Sequence, residues 1–124
     1  MTRIATTLAG SAILAAAILA PPYPAFAHAR LIKAAPAAGA HVPTGLKQIR
    51  LVFNEAVEPS LSTLELDDAS GAAVAAAKAG EACAEETCSL AVPALVPGDY
   101  KVKYHVLSAD GHVVDGDYAF NIAK

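Results

Sequence analysis

The chain has 124 residues, 55% of them hydrophobic and 17% charged, and a formal net charge of −3. This is room for one domain and one modest core. The acidic balance argues against a nucleic-acid partner, since nothing here neutralises phosphates.

In chain order, the first element reads as an export signal. Arg3 is a short basic head, Leu8–Ala20 is an apolar run, and Pro21, Pro22 and Pro24 end it. Ala25-Phe26-Ala27 then offers the small residues that a signal peptidase requires. The run is shorter than the roughly 20 apolar residues a membrane span needs. We therefore expect a secretory signal over residues 1–27, cleaved after Ala27, and a mature periplasmic domain over residues 28–124. Taking 27 residues from 124 leaves 97, and losing Arg3 brings the net charge to about −4. No second apolar run is long enough to span a membrane, so the mature product is expected to be soluble, exported and monomeric.

The mature chain then reads as short alternating runs separated by Pro, Gly and Asp. "HARLIKAAP" predicts an edge strand ending at Pro36. "LKQIRLVFNE" puts Ile49, Leu51 and Phe53 on one face, and "STLELDD" turns Leu64 and Leu66 inward. The alanine-rich "SGAAVAAAKAGEA" carries flanking glycines, Gly71 and Gly80, and reads as a loop or a poor strand. "CSLAV" is a weak strand. "YKVKYHVL" is the clearest one, with Tyr100, Val102, Tyr104 and Val106 on one face and Lys101, Lys103 and His105 on the other. "DYAFNI" closes the chain with Tyr118, Phe120 and Ile122. Turns fall at Pro36–Gly39, Pro43-Thr44-Gly45 and Pro97-Gly98-Asp99. The class this implies is all-β, an antiparallel β-sandwich or barrel.

Cys83 and Cys88 close a short loop, "CAEETC", of the kind found at a hairpin end. In an oxidising compartment such a pair is expected to be a disulfide. The competing reading is a thiolate pair for a soft ion such as Cu(I).

Four histidines remain after export. His41 and His105 read as surface residues. His112 stands two residues after Asp110 in "SADGHVVDGD". In extended chain i and i+2 project to one side, so the two side chains can converge on one ion. The same triplet also suits a turn or bulge, with Asp110 and Gly111 serving the backbone. His28 carries the argument further. As residue one of the mature chain it offers an amine and Nδ1 in a six-membered chelate ring. One nitrogen of His112 completes a T of three nitrogens, a histidine brace. Such a ligand set suits Cu(II), and Asp110 adds a carboxylate. One Cu(II) per mature chain is expected.

Taken together, these residues resemble the CopC family of periplasmic copper-binding proteins, over the whole mature chain from His28 to Lys124. "HARLIKAAPAAGA" resembles that family's opening, "IRLVFNEAVEP" its second strand, and "GDYKVKYHVLSADGHVVDGDYAFNI" its closing hairpin, with a Ser-x-Asp-x-His segment and a glycine before the last strand. The resemblance implies a small Greek-key β-sandwich of immunoglobulin-like or cupredoxin-like kind. It implies a Cu(II) site of His28, Asp110 and His112. Glu55 matches a glutamate near that site in some members, either an outer carboxylate of the site or a plain strand-end residue. The methionine-rich Cu(I) loop of other members is absent, because the chain's one methionine is Met1, so the resemblance is to the Cu(II)-only type. It further implies a protein that sequesters copper, or delivers it to a CopD-type inner-membrane transporter or another periplasmic copper protein, without catalysis. Two alternatives stand beside it. One is a brace-copper enzyme like the polysaccharide monooxygenases, although a chain with no tryptophan has little surface for gripping polysaccharide. The other is a metal-free sandwich interaction domain.

Overall fold

The computed structural model describes residues 29–77 and 83–124; the expected signal and His28 lie outside the described residues. Nine strands form, over Leu31–Ala35 (β1), His41–Val42 (β2), Gln48–Phe53 (β3), Thr63–Asp68 (β4), Ala73–Ala77 (β5), Cys83–Ala84 (β6), Thr87–Ala91 (β7), Gly98–Leu107 (β8) and Val113–Ile122 (β9). One sheet has the order β1-β3-β7-β6 and the other β2-β9-β8-β4-β5. Connections after β1, β2, β3, β5 and β7 pass from one sheet to the other, giving a β-sandwich.

The two-residue period decides which side chains meet between the sheets. Ile49, Leu51 and Phe53 of β3, Leu64 and Leu66 of β4, Val102 and Val106 of β8, and Phe120 and Ile122 of β9 are each no more than 2% exposed. These are the inward positions that the alternation marks. Full burial of one such side chain contributes about 1.5–3 kcal/mol. β1 is an edge strand that stops before Pro36, as expected.

Three features differ from the sequence reading. First, the sandwich is not wholly antiparallel. β2 runs parallel to β9, pairing His41 with Asn121 and Val42 with Ile122. The chain reaches that edge by a turn in which Gly39 adopts φ 75, a conformation that a side chain resists. Its N–H then donates to the Ala119 carbonyl at 2.7 Å. Second, the closing strand begins at Val113 rather than near Asp117. Gly116 lies inside it, opposite Tyr104, where a Cβ would overlap the tyrosine ring. Glycine makes room for that ring, which packs edge-on against Phe53 with centroids 5.5 Å apart. On the same inward face, burial pushes the Tyr118 phenol up to about 12. Third, part of the alanine-rich stretch is a true strand. β5 pairs with β4 over Leu64–Ala77, Glu65–Ala76 and Leu66–Ala75, because an open sheet edge overrides alanine's weak strand preference.

Cys83 and Cys88 face each other across the β6–β7 pair, Cα atoms 4.0 Å apart, and are joined as a disulfide. The thiolate-pair alternative is thereby set aside. Closing so short a loop removes chain entropy from the unfolded state worth about 2 kcal/mol. Replacing both cysteines with alanine should lower the unfolding free energy by about that amount in urea titrations. An unchanged midpoint and slope would contradict this assignment of the disulfide's role.

Candidate metal centre

β8 and β9 are joined by the turn Ser108–His112, which carries both Asp110 and His112. Ser108 is buried. Its N–H donates to the His112 carbonyl at 2.8 Å, and the Gly111 N–H donates to the Ser108 carbonyl at 2.9 Å. Gly111 takes φ 90 to make this possible. Asp110 and His112 therefore converge through a closed turn and not through extended chain, which corrects the sequence argument for their meeting. The turn reading of the triplet holds, and the turn brings the two side chains to one place. His112 Nδ1 lies 3.1 Å from Asp110 Oδ1.

Asp110 is held in its charged form. The Ser108 hydroxyl donates a short hydrogen bond to Oδ1, and the His112 N–H donates to the same atom at 3.2 Å. The Ser108 hydroxyl, with His112 beside it, holds the Asp110 carboxyl below the usual aspartate range, against a smaller opposing effect of desolvation. The other oxygen, Oδ2, takes part in none of these contacts. Both side chains stay open to solvent, Asp110 at 25% and His112 at 44% exposure.

The segment leaving β3 supports this turn from behind. The Ala109 N–H donates to the Ala56 carbonyl at 2.9 Å, and the Glu58 N–H donates to the Leu107 carbonyl at 2.7 Å. The same segment fixes the start of the described chain. The Asn54 N–H donates to the Arg30 carbonyl at 2.9 Å, and the Arg30 N–H donates to Asn54 Oδ1 at 2.6 Å. Ala29, just before, is buried. Glu55 lies between Asn54 and Ala56, half-buried, and its Oε1 is enclosed without a hydrogen-bond partner among the described residues. An enclosed carboxylate oxygen lacking a donor is costly, and a cation or donor brought next to it removes the cost.

The other two histidines are surface residues, as expected. His41 Nδ1 lies 3.3 Å from Asn121 Oδ1 at β2, and His105 Nδ1 lies 2.5 Å from Asp115 Oδ1 on the outer side of the hairpin. Among the described residues, no group of three or more His, Cys, Asp or Glu side chains is placed to hold a metal ion. Asp110 and His112 are a pair, and the third member of the expected set, His28, lies outside the described residues. An imidazole and a carboxylate suit a borderline divalent ion, and both sulfurs of the described chain are tied up in the disulfide. Asn54 and the backbone of Ala56 escaped the sequence reading. The first is a polar residue at a strand end, and the second has no side-chain signal at all.

A family model described as the CopC domain matches residues 31–123. Protein YobA of Escherichia coli (strain K12) is 33% identical over 113 residues, covering 90% of this chain and 90% of YobA. The copper transport protein CutJ of Bacillus subtilis (strain 168) is 28% identical over 105 residues, which are 83% of this chain and 19% of CutJ. Among solved structures, CopC from Methylosinus trichosporium OB3b superposes with a TM-score of 0.68 at 36% identity, over 77% of this chain and 94% of that one. PcoC from Escherichia coli, a methionine-rich copper resistance protein, superposes with a TM-score of 0.64 at 25% identity, over 77% of this chain and 99% of PcoC.

The geometry makes Ser108 the residue that lowers the Asp110 pKa and aims its carboxylate. Ser108→Ala should raise the Asp110 pKa toward the ordinary aspartate value, read by carboxyl-carbon NMR titration. The native-state contribution of Asp110 is present above the unfolded-state pKa and is lost as pH falls through the lowered folded value. Acid unfolding of Ser108→Ala should therefore begin at higher pH than in the parent. An Asp110 titration unaffected by the substitution would contradict this.

Proposed function

The chain belongs to the CopC family, and on that premise we propose that it is an exported copper(II)-binding protein whose site is completed by cleavage after Ala27. The observation that carries this reading is the pairing of Arg30 with Asn54, in the segment whose backbone also holds the Ser108–His112 turn. His28 lies two residues before Arg30, and two residues of extended chain reach about 7 Å. A mature terminus within that reach of Arg30 would be able to approach Asp110 and His112. The His28 amine and imidazole, the His112 imidazole and the Asp110 carboxylate would then hold the ion. In the precursor the same nitrogen is a peptide amide, so export itself would make the ligand.

The relatives' names point to the metal: CutJ is a copper transport protein and PcoC a copper resistance protein. The donor set selects the oxidation state. Nitrogen and carboxylate ligands favour Cu(II), whereas Cu(I) prefers thiolate and thioether. PcoC is methionine-rich, while this chain has one methionine, Met1, inside the expected signal. Copper is cargo in this reading, taken up as Cu(II) and released to a CopD-type transporter or another periplasmic copper protein, without catalysis.

The mature protein starting at His28 should bind one Cu(II). One extra residue before His28 keeps every side chain but removes the free amine at that position. It should weaken binding by more than about a hundredfold, beyond the roughly 10–100-fold that losing a supporting partner of a metal ligand brings. Equal affinity of the two forms, in competition titrations against a coloured chelator, would overturn the brace. Affinity should also fall with acidification, because an amine of pKa about 8 and imidazoles of about 6.5 must lose protons to bind. Constant affinity from neutral to mildly acidic pH would contradict nitrogen ligation.

Carrier and enzyme separate on reduction. With ascorbate and a Cu(I) chelator, copper should leave the site, with negligible protein-dependent peroxide formation. Sustained oxygen uptake with the metal retained, together with oxidation of an added polysaccharide, would overturn the carrier reading.

A further inference from the structure

We infer that the outward face of the five-stranded sheet is the docking surface for a lysine- or arginine-bearing segment of the protein that exchanges copper with this one. The inference rests on the copper-carrier reading above. The face is a track laid down by the odd-numbered positions of β8 and β9. From the hairpin turn downward, Leu107 pairs with Val113, His105 with Asp115, Lys103 with Asp117, and Asp99 with Asn121. The nine residues from Leu107 to Asp99, eight strand steps, make a track of roughly 27 Å, and it starts at the turn that carries Asp110 and His112.

The track begins apolar and continues acidic. Val113 and Leu61 are large hydrophobic side chains left exposed, at 54% and 58%. Leu61 is held beside the hairpin end because its neighbour Ser62 accepts the Leu107 N–H through its hydroxyl, at 3.2 Å. Below them run two grooves that share Lys103 and Asp117. Glu65 and Asp115 line the first, and Asp67, Asp68 and Asp99 line the second. Against these six carboxylates stand Lys101 and Lys103, and Lys103 is already engaged, its Nζ 3.0 Å from Glu65 and 2.7 Å from Asp67.

Asp67 concentrates that acidity at the second groove, with one oxygen held by Lys103. Its side chain is only 7% exposed, yet its Oδ1 accepts no hydrogen bond. A guanidinium or ammonium brings charge and N–H together, the strongest kind of hydrogen bond available to a carboxylate. The opposite face of the sandwich reinforces the choice. The groove on the four-stranded sheet is lined by Lys33, Ala35, Arg50 and Val52, cationic and without a carboxylate. A basic segment is repelled from one face and drawn to the other, which steers it to the face that leads to the copper turn.

The test uses the mature protein, starting at His28, and an Arg-Leu-Arg-Leu-Arg peptide as probe, followed by amide NMR of the metal-free form. Shift changes should fall on β4, β8 and β9. Binding should weaken by at least about tenfold when salt rises from about 20 to 200 mM, as screening demands. Asp117→Lys should weaken it by at least as much, and so should Asp67→Asn. Asp117 is exposed, so its variant remains informative if Asp67→Asn fails to fold. Arg50→Glu should change nothing. Shifts on the Lys33–Arg50 face, or binding that survives Asp117→Lys, would overturn the inference. So would self-association abolished by Arg50→Glu, which would make a second copy the occupant. Cu(II) titration keeps the two readings apart. Asp117→Lys should take copper like the parent while losing the peptide. A parent that binds the peptide on this face and takes no copper upholds the surface and overturns the copper reading.

Discussion

Five backbone hydrogen bonds around residues 53–58 hold the candidate-site end of this sandwich together. Where β3 ends, the chain leaves its ladder, and its buried N–H and C=O groups must find other partners. They find them in three separate loops. Phe53 and Val57 donate to the Glu86 and Glu85 carbonyls of the disulfide-closed turn, Asn54 donates to Arg30, Glu58 donates to Leu107, and Ala56 accepts from Ala109. One irregular stretch thus ties the start of the described chain, the Cys83–Cys88 hairpin and the Ser108–His112 turn into one unit. Residues far apart in sequence become neighbours mainly through backbone groups, aided by the Asn54 side chain bonded to the Arg30 N–H.

That arrangement explains what the sequence could and could not disclose. The inward faces of β3, β4, β8 and β9 were legible because a two-residue period in Leu, Ile, Val and aromatic residues has one simple reading. The cysteine pair was legible from its spacing and from the oxidising compartment that the expected export signal implies. The parallel seating of β2 was not, since two residues carry no period. The length of β9 was hidden by Gly116, which looks like a breaker and is a space for the Tyr104 ring. At the candidate site the pair Asp110 and His112 was found, although for the wrong geometric reason. The residues that hold the pair in place were not found, because backbone groups such as those of Ala56 and Ala109 leave no trace in residue type.

The chemistry follows from what the fold removes as much as from what it offers. The disulfide withdraws both cysteine sulfurs of the described chain from metal binding. Ser108 lowers the Asp110 pKa and fixes its carboxylate at the tip of the hairpin. A site of imidazole, carboxylate and terminal amine, as proposed above, would discriminate by softness, favouring the divalent ion over Cu(I). The same hairpin that presents this tip carries, on its outward side, the carboxylates that face the second sheet surface. In the proposed reading, cargo and docking face share one two-stranded unit, and a protein bound along the track would meet the Ser108–His112 turn without any rearrangement of the core.

The claim at the centre of this account is that all the nitrogens on copper belong to histidine residues, one of them the first residue of the mature chain. Electron paramagnetic resonance of the Cu(II)-loaded mature protein, prepared with natural and with nitrogen-15 histidine, measures this directly. The account predicts coupling to three nitrogens, all of which change with the isotope, since the His28 amine and both imidazoles carry the label. Fewer than three coupled nitrogens, or a coupling that keeps its nitrogen-14 pattern and so arises from a backbone amide or another residue, would contradict it.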